Sequence, residues 1–326
     1  MVIKGLPTSL DHSPGHDLPF QLPAAMIDQL INILVTITLI EMMAAIGLGI
    51  RFRELRQVAR DWRLVFRAAL ANYVCVPAVT LVLLLLFSAR PMMAAGFLIL
   101  AVCPGAPFGP PYVKIAKGDV AAAVGLMVLL AGSSAIVAPV LLYSLLPLMS
   151  GDETLRVDTV KILRTLMMTQ LLPLLVGLSV RHWRPGFAER LLKPANLLSA
   201  ALSLLTVGVI IFVHFQVLID IRVRAYLGMF LLLMVSWAAG WLLGGPGSAM
   251  RKSMALTTSL RNVGVGLVIA AGSFAGTAAV TAVVAFGILE IAGSLLLALA
   301  WGRVQAKAKD QTEVGDGKLE SLTSDL

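Results

Sequence analysis

The chain has 326 residues, 58% of them hydrophobic and 13% charged, with a mean hydropathy of +0.90 and a net charge of +8. A soluble globular domain carries about 25% charged residues, so this composition excludes an ordinary soluble enzyme or binding module. The positive charge lies mostly in loop arginines and marks no nucleic-acid partner; the partner it implies is the lipid bilayer.

Residues 1–25 are polar, carry Pro7, Pro14, Pro19 and Pro23, and lack the basic-then-apolar layout of a signal peptide. They read as a disordered lead, with Met26 an alternative start. Apolar runs of about 20 residues follow, each long enough to cross a hydrocarbon core of roughly 30 Å. The first, over 26–50, ends in Arg51, Arg53, Arg56, Arg60, Arg63 and Arg67, a loop that belongs in the cytoplasm. The second covers 65–87 and contains Asn72 and Pro77. The third starts near Met92 and runs into a stretch broken by Pro104, Gly105, Pro107, Gly109, Pro110 and Pro111. Proline removes a backbone donor and clashes with the preceding turn, so no continuous helix survives there. A fourth span covers 119–148, and the link 150–153 after it holds no lysine or arginine, as an outside loop should.

The fifth span covers 160–180 and leads to Arg181, Arg184, Arg190 and Lys193; the sixth covers 194–218 and the seventh 224–243. The eighth, 253–273, is interrupted at Ser259-Leu260-Arg261-Asn262-Val263-Gly264, and the ninth covers 277–300. Residues 26–303 thus form one transmembrane domain, and 304–326 a charged, disordered cytoplasmic tail. Alternate loops place the N-terminus outside and the C-terminus in the cytoplasm, with Arg222 and Arg224, next to Asp220, as the exceptions on the outer side. Cys75 and Cys103 sit in separate apolar runs and give neither a disulfide framework nor metal spacing. Unwound backbone at membrane depth is tolerated where protein covers it or where it lines a cavity. Paired broken helices near the midplane are how many secondary transporters build their sites.

Three places resemble the bile acid:sodium symporter family of secondary transporters. Ile46-Gly47-Leu48-Gly49-Ile50, with arginines behind it, is similar to the family's Met-Gly-Leu-x-Leu helix exit. Cys103-Pro104-Gly105, with Ala116-Lys117-Gly118-Asp119 downstream, resembles its Cys-Pro-Gly-Gly and Ala-x-Gly-Asn/Asp pair. Asn262 with the small-residue helix behind it, and Gly293-Ser294-Leu295-Leu296, resemble its second crossover and final helix. The resemblance spans 26–303. It implies an all-α membrane protein of about nine spans with inverted-topology repeats, two discontinuous crossed helices, and core and panel domains. It also implies a small organic anion as substrate, such as a bile acid, steroid conjugate or small carboxylate.

The resemblance implies sodium ligands at the crossover, and most are replaced here. The Ser-Asn pair after Pro-Gly is Gly109-Pro110, and the hydroxyl positions of the next helix are Ala123 and Met127. The Glu-x-Gly-x-Gln-Asn run reads Thr257-Thr258-Ser259-Leu260-Arg261-Asn262, leaving Asn72 and Asn262 as matching amides. A charge at the bilayer centre costs about 2.5–3.5 kcal/mol on insertion scales, so Arg261 should face a partner or a wet cavity. Its guanidinium is a candidate for the charge that sodium supplies elsewhere, holding the crossover together or forking onto a substrate carboxylate. Glu290 and Glu41, the intramembrane acids, are candidates for its partner or for proton carriers.

The expected function is secondary transport of a small organic anion across a bacterial-type inner membrane by alternating access. The substrate site is expected at Pro107, Phe108, Gly109, Arg261, Asn262 and Glu290. Ion-coupling or charge-pair candidates are Asn72, Thr257, Thr258, Arg261, Glu290 and Glu41, with sodium, a proton or simple exchange open as the coupling mode. No cofactor or metal centre is expected, and no nucleophile–base pair or phosphate loop indicates an enzyme. The alternatives are a permease for an inorganic oxyanion such as arsenite, with Cys103 in the broken helix, and a non-transporting receptor keeping the fold.

Overall fold

The structure is a computed structural model that describes residues 24–149, 155, 157–219 and 223–324, with side chains of the last helix described to Val304. The polar lead apart from its last two residues, the link 150–153, Asp220 and Arg222 lie outside the described residues.

Every regular element among the described residues is helical. In chain order they are α1 (Ala24–Gly49), α2 (Phe52–Arg60), α3 (Trp62–Leu86), α4 (Pro91–Ala101), α5 (Gly109–Ile115) and α6 (Val120–Leu145). There follow α7 (Thr159–Trp183), α8 (Pro185–Ile219), α9 (Val223–Leu243), α10 (Ser248–Ser259), α11 (Val263–Ser273) and α12 (Ala278–Ser324). Seven of the described helices (α1, α3, α6, α7, α8, α9 and α12) are long and apolar enough to cross a membrane. The apolar half-helices α4 and α11 have 11 residues each, about 16 Å at 1.5 Å per residue, too short to cross alone. The broken segments therefore cross only as α4 with α5 and α10 with α11, and helix length by itself gives seven crossings, not nine.

Local sequence accounts for the irregularities. Helices α3 and α7 each widen into a single π turn, at Ala71–Cys75 and Met167–Leu171, just ahead of Pro77 and Pro173. A proline cannot donate to the turn before it, and a local change of helical register absorbs the loss. The basic loop after α1 is not extended: α2 forms there without a buried residue, and Asp61 accepts from the Leu64 amide at 3.1 Å to start α3. Helix α8 begins at Pro185, not near Pro194. Proline is favoured in a first helical turn, and Glu189, just beyond that turn, pairs with Arg181 at 3.2 Å and Arg51 at 3.7 Å. Arg190 and Lys193 thus lie on α8 itself.

The helices sort into two layers. Helices α1, α7 and α8 pack on one another. Gly47 and Gly177 permit the closest approach, since a Cβ on Gly47 would strike the Leu174 carbonyl and one on Gly177 the Ala44 carbonyl. The second layer holds α3, α6, α9, α12 and both broken segments, with α4 against α12 and α10 against α9. The layers meet where α1 lies on α11 and where the π turn of α7 lies on α6. This is the division into panel and core that the resemblance implies.

Candidate crossover site

Helix α4 stops at Ala101 and α10 at Ser259, and the links that follow them cross. Pro104 lies antiparallel to Arg261, and the Asn262 amide donates to the Cys103 carbonyl at 2.8 Å. Gly105 makes the first link possible. Its φ is +89°, and a Cβ there would lie 2.6 Å from the Ala131 nitrogen of α6.

Breaking a helix frees amides and carbonyls that must find other partners. The Arg261 amide, which would have bonded Thr257 in a continuous helix, donates to Oε1 of Glu290 on α12 at 2.8 Å. The Asn262 amide, lost to Cys103, leaves the Thr258 carbonyl open, and Nη2 of Arg261 donates to that carbonyl at 2.7 Å. Nη1 donates to the carbonyl of Ala101, the last residue of α4, at 3.3 Å. One guanidinium, 1% exposed, therefore bonds the C-terminal turns of both half-helices, where each helix dipole is negative.

The remaining candidates divide. Asn72, in the π turn of α3, donates from Nδ2 to Ala68 O at 2.9 Å and to Thr258 Oγ1 at 3.3 Å. Asn262 caps α11 by accepting the Val265 amide on Oδ1 at 3.2 Å. Three buried polar atoms here have no partner: Asn72 Oδ1, Asn262 Nδ2 and Glu290 Oε2. Thr257 donates to Ser253 O in its own helix at 2.7 Å. Glu41 is elsewhere, half-buried within the α1–α7–α8 layer, where it accepts from Ser199 Oγ at 2.6 Å. Among the described residues the side-chain ion pairs are those of Glu189. Glu290 thus meets Arg261 through the main chain, and neither acid forms an ion pair with the guanidinium. Cys103 is fully buried.

Pro107, Phe108 and Gly109 lie at the entrance to α5. Phe108 is half-buried and packs against the apolar cluster that includes Tyr112, Leu256 and Leu260, and its ring centroid lies 6.4 Å from that of Tyr112. Gly109 is buried, yet a Cβ built on it would meet nothing within 4 Å, so open space lies beside it. A cleft of about 330 Å³ lies between α1, α7 and α11, lined by Asn32, Thr36, Lys161 and Ser273 among others.

Sequence reasoning missed a second polar group. Gln170, in the π turn of α7, is fully buried and donates to Ser134 Oγ at 2.9 Å and to Ala131 O, tying the two layers together. Tyr73 OH, next to Asn72, reaches Ser133 Oγ at 2.7 Å and Leu130 O at 2.9 Å. Ser294, one turn beyond Glu290, bonds Ser259 at 3.0 Å and accepts from Trp237 Nε1 at 3.3 Å. The available signal was a lone amide ahead of Pro173 inside an apolar run, since polar side chains at that depth are costly to leave unpaired.

The fold and crossover define an integral membrane protein with two crossed, discontinuous helices. The model of the Sodium Bile acid symporter family matches residues 36–221, more than half of the chain, and the chain belongs to that family. It is 28% identical over 181 residues to the "Probable sodium/metabolite cotransporter BASS2, chloroplastic" of Oryza sativa subsp. japonica. That alignment covers 56% of this chain and 42% of the relative, so the chain matches less than half the relative's length. The family match ends before Arg261, Asn262 and Glu290, whose placement comes from the structure alone.

Proposed function

We propose that the protein is a secondary transporter of a small organic anion, working by movement of the α1–α7–α8 layer against the broken-helix layer. The observation that carries this reading is Asn262. Its side chain caps α11, an 11-residue helix, and leaves a buried Nδ2 donor without a partner. A helix N-terminus adds partial positive charge, and a free amide donor beside it suits a carboxylate. Support comes from the open space at Gly109 and from the cleft between α1, α7 and α11, where Lys161 would draw in an anion. The start of α11 faces the other layer: a Cβ on Gly264 would come within 3.6 Å of Leu39 and 3.9 Å of Met42. The anion then binds where the two layers meet.

The arginines of 51–67 place that loop in the cytoplasm. The N-terminus is then outside and the C-terminus inside, in a bacterial-type inner membrane. The test is binding and uptake of labelled cholate, pyruvate and pantoate, and uptake of arsenite, by proteoliposomes of the full chain, with Asn262→Asp beside wild type. Uptake of one of these by wild type and its loss in the variant supports the reading. Binding of all three without flux indicates a receptor, and flux of arsenite with none of the organic anions indicates the oxyanion permease; either overturns it.

A further inference from the structure

Half-helix C-termini that meet inside a membrane present open carbonyls and two negative dipole ends, and transporters commonly answer them with a coupling cation. Family membership makes sodium the expected cation here. The residues present do not fit one. The carbonyls of Ala101 and Thr258, at the ends of α4 and α10, are both bonded to the Arg261 guanidinium. We propose that Arg261 is a built-in cation that takes the place of sodium at the crossover, so that the transport cycle needs no sodium bound there. This rests on the transport reading above.

Charge and connectivity both support it. The guanidinium is 1% exposed and is tethered to the link it stabilises, so it cannot leave during a cycle as an ion would. The acid of the crossover is engaged as well: Glu290, fully buried, accepts the main-chain amide of the same residue at 2.8 Å. The crossover thus carries a fixed positive charge without an added ion. Two acceptors, Asn72 Oδ1 and Glu290 Oε2, stay open. Asn72 is bonded to Thr258 Oγ1, and the Thr258 carbonyl is bonded to the guanidinium, so a second cation at Asn72 would face Arg261 at close range. Hard cations need several convergent oxygen ligands, and the two carbonyls best placed to supply them are occupied.

The experiment measures sodium binding and the unfolding midpoint of the full chain in detergent, neither of which requires a substrate. For wild type the expected result is no saturable binding of radiolabelled sodium and the same midpoint in sodium and choline chloride. Arg261→Ala should unfold at a lower temperature and regain stability with low concentrations of methylguanidinium, but not with choline. Saturable sodium binding to wild type, or a sodium-dependent rise of its midpoint, overturns the proposal, and so does a folded Arg261→Ala that methylguanidinium does not stabilise. If the alanine variant does not fold, the wild-type sodium binding decides alone. Absence of flux in proteoliposomes would sink the transport reading while leaving these binding results intact.

Discussion

Arg261 and Glu290 are joined by the main-chain amide of the one and the carboxylate of the other, at 2.8 Å, while the guanidinium holds two carbonyls instead. The acid positions the link, and the arginine closes the helix ends that the link leaves open. Removing either half leaves the other buried and uncompensated.

That arrangement predicts strong coupling. Glu290→Gln keeps an oxygen for the Arg261 amide but replaces the buried carboxyl group, and should cost about 1–3 kcal/mol. Arg261→Gln should cost more, about 3–5 kcal/mol, because it also opens two buried carbonyls. The double variant should be less destabilised than the sum of the singles. Unfolding of all three in detergent checks this, and additive costs would mean that the two charges do not sense each other.

Asn262 separates capping from recognition. Asn262→Asp keeps an oxygen for the Val265 amide, so the midpoint should hold, while the free Nδ2 donor becomes a negative oxygen and anion uptake should collapse. Asn262→Ala should lose the cap as well, about 1 kcal/mol. Equal uptake by Asn262→Asp and wild type would remove Asn262 from the binding site.

Gly109 tests the open space beside α5. Gly109→Ala should fold normally, with a midpoint within about 0.5 kcal/mol of wild type, because its methyl meets nothing. Gly109→Leu should also fold but reduce uptake by filling that space. A sharp loss of stability in the alanine variant would show the space to be closed.

Gly105 should behave in the opposite way. Gly105→Ala places a Cβ at positive φ and 2.6 Å from the Ala131 nitrogen, a combination that should cost more than about 2 kcal/mol. The measurement is again the unfolding midpoint, and a neutral result would mean that α6 can retreat from the link.

Asn72 links α3 to the crossover. Asn72→Ala should cost about 1–2 kcal/mol through the lost bonds to Ala68 and Thr258. Asn72→Ala with Thr258→Ala should cost less than the two singles combined, as a double-mutant cycle would show.

Sequence alone determined the class of the protein and where its spans break. Apolar runs impose helices because unpaired backbone is too costly in hydrocarbon; Pro104 and Pro107 interrupt one, and Pro110 and Pro111 are accommodated only in the first turn of the next, α5. It also singled out Arg261, Glu290 and Asn262, since polar groups at that depth demand partners. Tertiary structure alone decided which partners they have. A link outside helical geometry frees a side chain from helical phase, so nothing local showed whether Arg261 would face a cavity, an acid or a carbonyl. The Ala101 carbonyl, 160 residues away, is brought to it only by the packing of α4 against α12 and α11. The same holds for Gln170: its amide was visible as an oddity in an apolar run, but its bond to α6 exists only because the two layers stack.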